Sequence, residues 1–178
     1  ERLAAPPDFA ADLYELTNEI CAGAGFEGYE ISNHARSAAD QSVHNRIYWA
    51  GGDWIGAGPG AHGRLGTHRT GGRIATAAAR RPADYIRTVS EKGWGVDETE
   101  TLSAADEAAE RILMGLRLAE GLDPARLERA TGLSVDAAGL AEMTEMGLME
   151  TAGTRIRLTP AGRLLADGAS GRLVPDAG

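Results

Sequence analysis

Apolar residues return at helical spacing between residues 8 and 22, where Phe9, Leu13, Leu16 and Ile20 form one stripe. That spacing predicts an amphipathic helix, capped by Asp8 behind Pro6 and Pro7 and ended by Gly23 and Gly25. Alternation then takes over. Tyr29 and Ile31, set between Gly28 and Glu30, mark a short strand that empties into the polar segment Ser32-Asn33-His34-Ala35-Arg36. An irregular stretch is expected up to Tyr48 and Trp49, then a turn at Gly51-Gly52-Asp53 and a second strand at 54–58 leading to the loop Pro59-Gly60-Ala61-His62-Gly63. Two strands and a helix are too little to close a sheet, so further strands are expected upstream. The first methionine is Met114, which fits a fragment of a longer chain.

Pro82 opens a short helix to about Lys92 with Tyr85, Ile86 and Val89 on one face, and 94–101 reads as a linker. From Ser103 the pattern becomes aromatic-free and rich in Leu and Ala. Ser103 and Asp106 resemble a capping box for a helix that turns Ala105, Ala108, Ile112, Leu113 and Leu116 inward and stops at Gly121. Asp123-Pro124 opens a second helix ending at Gly132, and Ser134 caps a third with Ala138, Ala141 and Met143 inward, ended by Gly147. A hairpin of 148–151 and 155–158 around Ala152-Gly153-Thr154 comes next, and Thr159-Pro160 opens a last helix. Three helices, a hairpin and a helix is the order of a winged-helix unit. The chain thus divides at 1–81, 82–102 and 103–178.

Charge narrows the functions this pattern can serve. With 18 Lys and Arg against 26 Asp and Glu the net charge is -8, unsuited to general nucleic-acid binding, which needs clustered cations. Only 64–87 departs, with six arginines against Asp84. In the third C-terminal helix, the recognition helix of a DNA-binding version, Asp136, Glu142 and Glu145 stand without any Lys or Arg, so packing or docking is the better reading. Cys21 is the single cysteine, which excludes an internal disulfide and a cysteine-held cluster and favours a reducing, cytoplasmic location. No run approaches the roughly 18 apolar residues of a membrane helix.

All four histidines lie between 34 and 68, and chemistry is sought there. The match of Gly58 to Gly63 to G-x-G-x-x-G comes after a strand but opens no helix, since Gly66, Gly71 and Gly72 interrupt residues 64–73, so no dinucleotide site is expected. His34, His44 and His62 are a loose metal-ligand set because no two share one element. The run His44-Asn45-Arg46-Ile47-Tyr48-Trp49 offers an imidazole, aromatic faces and, with Arg36, cations for carboxylates, which are the groups a haem requires. Alternatively, Tyr48 and Trp49 pack as core while His44 and Asn45 bond loop backbone. Residue types alone favour this second reading.

At Tyr29-Glu30-Ile31-Ser32-Asn33, His44-Asn45-x-x-Tyr48-Trp49, Ile55-Gly56-x-Gly58-Pro59-Gly60-Ala61-His62 and Gly115-Leu116-Arg117-Leu118 the sequence resembles the oxygen-independent coproporphyrinogen III oxidase family, in its HemW-type haem chaperone branch. The resemblance covers essentially the whole chain. It implies an α/β fold: the last strands of a partial radical S-adenosylmethionine barrel (1–81), a helix and linker (82–102), and a mainly helical winged-helix-like C-terminal domain (103–178). It implies a parent protein that carries S-adenosylmethionine and a 4Fe-4S cluster, whose C-x-x-x-C-x-x-C loop is not in this sequence, so the fragment alone is expected to be inactive. By the same resemblance Ala35 and His62 contact S-adenosylmethionine, and His44, Asn45, Tyr48 and Trp49 bind haem, with His44 on the iron. His34 and Gly63 stand where relatives carry Phe and Ser. The implied partner is haem or a porphyrin, with no nucleic acid, no membrane span and a dimer left open. The implied activity is haem trafficking or insertion, the alternative being oxidative decarboxylation of coproporphyrinogen III.

Overall fold

The computed structural model describes residues 7–175. Helix α1 (Pro7–Gly23) is followed by a hairpin of β1 (Glu27–Glu30) and β2 (Asn33–Ala35), a single turn at Ala38–Asp40, and helix α2 (Val43–Trp49). Strands β3 (His62–Leu65), β4 (Arg73–Ala78) and β5 (Val96–Leu102) form one antiparallel sheet in that order, with helix α3 (Pro82–Lys92) between the last two. The remainder runs α4 (Ala104–Gly115), α5 (Pro124–Thr131), α6 (Ala137–Glu145), the hairpin β6 (Met149–Ala152) and β7 (Arg155–Leu158), α7 (Pro160–Leu164) and α8 (Ala166–Gly171). Leu122, between α4 and α5, exchanges both backbone hydrogen bonds with Ile156 and so adds a one-residue strand to the hairpin. Three helices, this hairpin and the two closing helices make a winged-helix-like arrangement.

The N-terminal part differs from expectation at five places. The polar segment after the first strand turns back as β2, so Gly28 faces His34 and Glu27 faces Ala35. HNRIYW lies on a helix, not a loop; Ser42 caps it by accepting the Asn45 N–H. The strand expected at 54–58 shrinks to one bridge between Trp54 and Arg64, and the true strand begins at His62. The supposed linker at 94–101 is β5, paired along its length with β4. Asp8 lies inside α1, and Pro6 lies outside the described residues.

In the C-terminal part the caps agree better. Ser103 and Asp123 each accept the N–H three residues on, and Thr159 does so from Gly162. Helix α4 stops at Gly115 rather than at Gly121. Asp136, not Ser134, caps α6, so Gly139 and Met143 face inward while Ala138 and Ala141 are exposed. The continuous apolar core lies here: Ala108 and Ile112 of α4 and Leu116 just after it meet Leu127, Met143, Met149, Ile156 and Leu173. Leu113 leaves this face for solvent, as Ile86 does on α3. On α1 the stripe Phe9, Leu13, Leu16 and Ile20 is exposed among the described residues.

Ile112 is fully buried and Leu113 beside it is not. Ile112→Ala is expected to cost ~2–5 kcal/mol of unfolding free energy and Leu113→Ala less than ~1 kcal/mol, read from urea midpoints at unchanged slope. Equal losses would mean that the core does not close around α4.

Candidate functional site

Helix α2 presents two faces with different surroundings. On one face His44 and Tyr48, four residues apart, meet edge to face at 4.4 Å between ring centroids, and Tyr48 meets Trp54 the same way at 4.6 Å. His44 is exposed and its ring has no hydrogen-bond partner among the described residues. Val43 and Ile47 are exposed beside it, at 73% and 39% of their full accessibility. The helix therefore offers a free imidazole within an apolar, partly aromatic surface.

On the other face Asn45 and Trp49 are anchors. Asn45 Nδ2 donates to the hydroxyl of Tyr29, itself buried, which also accepts the Ser42 N–H, both at 3.4 Å. Trp49 lies under the Arg117 guanidinium, whose carbon is 4.4 Å from the ring centroid. Neighbouring residues on a helix point about 100° apart, so Tyr48 turns to His44 and Trp54 while Trp49 turns to Arg117.

Arg117 is held in turn by Glu30, which is 1% exposed and accepts Arg117 Nη2 at 3.3 Å. The other Glu30 oxygen takes the Ser32 N–H and Oγ–H, both at 2.8 Å, and the Asn33 amide. Burial alone would raise the Glu30 pKa, but the bonds from Asn33 and Ser32 and the charge of Arg117 outweigh it and hold the carboxyl below its ordinary range. Tyr29-Glu30-Ile31-Ser32-Asn33 is thus the support of α2. The sequence pattern matched this segment but did not reveal Glu30 and Arg117 as the pair that braces the helix; an acid between Tyr29 and Ile31 was the available signal.

The arginines expected to meet carboxylates are engaged. Arg46 makes a two-pronged pair with Glu120 at 2.9 and 3.0 Å, a bond that lowers the Glu120 pKa and raises that of Arg46 against the opposing effect of burial. Arg36 sits over Phe26 at 4.5 Å. The turn after α2 is clamped twice: Arg111 Nη1 donates to Gly51 O at 2.9 Å and Arg73 Nη2 donates to Gly52 O at 2.9 Å. Arg73 is 1% exposed, and burial, with the nearby charge of Arg111, pulls its pKa down. Gly51 has φ +65°, and a Cβ there would meet Arg111.

Ala35 and His62 stand on separate strands. Ala35 is buried on β2; His62 is exposed at the start of β3, where its carbonyl accepts the Trp54 indole N–H at 3.1 Å. The three histidines do not converge: His34 Nε2 pairs with Asn18 Oδ1 at 2.9 Å, and among the described residues no three His, Cys, Asp or Glu side chains are grouped to hold a metal. No described helix is long and apolar enough to cross a membrane.

This architecture is shared with the solved structure of coproporphyrinogen III oxidase HemN from Escherichia coli, a radical SAM enzyme, with a TM-score of 0.68 at 19% identity over 96% of this chain and 42% of that one. Residues 102–165 match the HemN C-terminal domain family. In sequence, Heme chaperone HemW of Mycobacterium tuberculosis is 39% identical over 171 residues, covering 93% of this chain and 40% of the relative. HemW of Bacillus subtilis is 31% identical over 170 residues, covering 93% and 43%. The mitochondrial radical S-adenosyl methionine domain-containing protein 1 of Mus musculus is 39% identical over 118 residues, covering 65% and 26%. The fold is therefore that of the C-terminal portion of a HemN-type radical SAM protein. The chain belongs to the HemN/HemW family, and it spans about two fifths of the length of the HemW relatives it matches.

A carboxyl whose folded pKa lies below its unfolded value contributes stability above the unfolded value and loses it as pH falls through the folded one. Glu30→Gln is expected to be less stable than the native chain at pH 7, and the gap should narrow on acidification below about pH 4. Urea unfolding of both proteins at the two pH values checks this; a gap independent of pH would show that the Glu30 charge contributes nothing.

Proposed function

We propose that this chain is the C-terminal part of a haem chaperone, with His44 as the protein's nitrogen ligand to the haem iron. The observation that carries the reading is the exposed, unbonded imidazole of His44 braced by the Tyr48 ring at 4.4 Å and flanked by exposed Val43 and Ile47. Haem when bound supplies an iron that accepts a neutral imidazole and a flat apolar body that shuns water. Tyr48 fixes the His44 ring, while Asn45, through Tyr29, and Trp49, under Arg117, fix the helix that carries it. The relatives named as heme chaperones support haem as cargo for the parent protein.

The parent is read as also using S-adenosylmethionine and a 4Fe-4S cluster. Three thiolates are needed for such a cluster and this chain has Cys21 alone, so the cysteines must be supplied from outside these residues. Ala35 and His62 are read as S-adenosylmethionine contacts, Ala35 through its backbone because its methyl is buried, and His62 from the exposed end of β3. A cytoplasmic location is part of the same reading. The HNxxYW helix favours chaperoning over coproporphyrinogen decarboxylation.

In the full-length protein His44→Ala is expected to shift the Soret band and weaken haem affinity at least about tenfold, because the iron loses its protein ligand. Trp49→Leu should leave the band unchanged and cost about 2 kcal/mol of stability, since Trp49 anchors α2 from the far face. Absorbance titration and urea unfolding of both variants read these effects. An unchanged band and affinity in His44→Ala would overturn the assignment.

A further inference from the structure

Between the far face of α2 and the winged-helix unit lies a cavity of about 190 Å³ whose walls are cationic in a chain of net charge -8. Arg46, Arg111, Arg126 and Arg155 line it, against Glu120 and Asp123. Both acids are already committed. Glu120 serves Arg46 and, at 3.8 Å, Arg155, while Asp123 accepts the Arg126 N–H as the cap of α5. The donors are in excess. The Arg126 guanidinium has no partner among the described residues, and Arg111 uses Nε on Glu107 and Nη1 on Gly51 O but leaves Nη2 without one. Trp49 also lines the cavity, and its indole N–H, shielded from solvent, donates to nothing among the described residues. An unpaired buried donor costs free energy, and here an acceptor would satisfy it.

We propose that this cavity binds a small oxyanion, a phosphate or a carboxylate, on Arg126, Arg111 and the Trp49 indole N–H. Two arguments set the class. Guanidinium groups and an indole N–H are donors without acceptor capacity, so the ligand must accept hydrogen bonds and carry negative charge. The volume is below the roughly 300 Å³ of sites for drug-sized ligands and equals about six water molecules, so it takes an ion or the acidic end of something larger and excludes a porphyrin ring. The two sources of such a group are free phosphate and a propionate of haem held at His44; only the second rests on the haem reading.

Titration of the full-length protein with inorganic phosphate, followed by calorimetry and tryptophan fluorescence, tests the first source. Comparison of haem with its dimethyl ester tests the second. Arg126→Gln, at an exposed position, and Trp49→Phe, which keeps an aromatic ring and deletes the N–H, are the variants; Arg129→Gln, on the same helix and not lining the cavity, is the control. Saturable phosphate binding that falls at least about tenfold in both variants and is unchanged in the control supports a free anion. A preference for haem over its ester that disappears in both variants supports the propionate. Phosphate binding with no haem binding would leave this site standing and remove the haem reading instead. No phosphate binding together with equal affinity for haem and ester, or effects equal in variants and control, would overturn the proposal.

Discussion

Glu107 has no contact with solvent, and both its oxygens are used: one takes Arg111 Nε–H at 2.7 Å and the other the backbone N–H of His68. Arg111 reaches on to Gly51, at the end of α2. One ion pair on α4 thereby fixes the turn after α2, the turn before β4 and the helix around which the C-terminal core closes. Removing one partner of such a buried pair typically costs ~3–5 kcal/mol, because the other charge is left in a medium that cannot solvate it. The arrangement suits a region whose apolar core is thin: the N-terminal part buries Arg73 and Glu30 where a larger sheet would bury aliphatic side chains.

Four family-type segments that are separate in sequence form one connected structure. Tyr29 and Glu30 receive bonds from α2 and Arg117; Arg117 covers Trp49; and the strand after the glycine loop carries His62, whose carbonyl holds the Trp54 indole. On α2, His44 faces outward, and its ring has no hydrogen-bond partner among the described residues. Within α2, Asn45 and Trp49 make contacts to the rest of the fold, and Tyr48 packs between His44 and Trp54.

How much of this was legible depends on where the information lay. Capping and turn residues act locally, so Ser103, Asp123, Thr159 and the left-handed glycine at 132 marked their helix ends correctly. The cap of α6 was placed two residues early, and of the three residues expected to face inward Met143 does so while Ala138 and Ala141 are exposed. β5 could not be seen, because VDETETL has neither an alternating apolar face nor a turn signal; β4 makes it a strand. α2 was hidden for a related reason: seven residues are too few to nucleate alone, and tertiary anchors hold them helical. The types at the site were readable, but the partners were not. Arg46 was free to meet a ligand until the fold placed Glu120, 74 positions away, against it.

The sheet order leaves β5 at one margin, with a row of backbone donors and acceptors open on its outer side. Asp97, Glu98 and Glu100 stand along that margin, all exposed. A second copy approaching to extend the sheet would bring the same carboxylates against them, and like charges opposed across a strand pair repel. At the other margin Trp54 has already taken the backbone groups of Arg64. Lateral growth of the sheet between molecules is thus opposed by charge on one side and by a bridge of the chain's own making on the other.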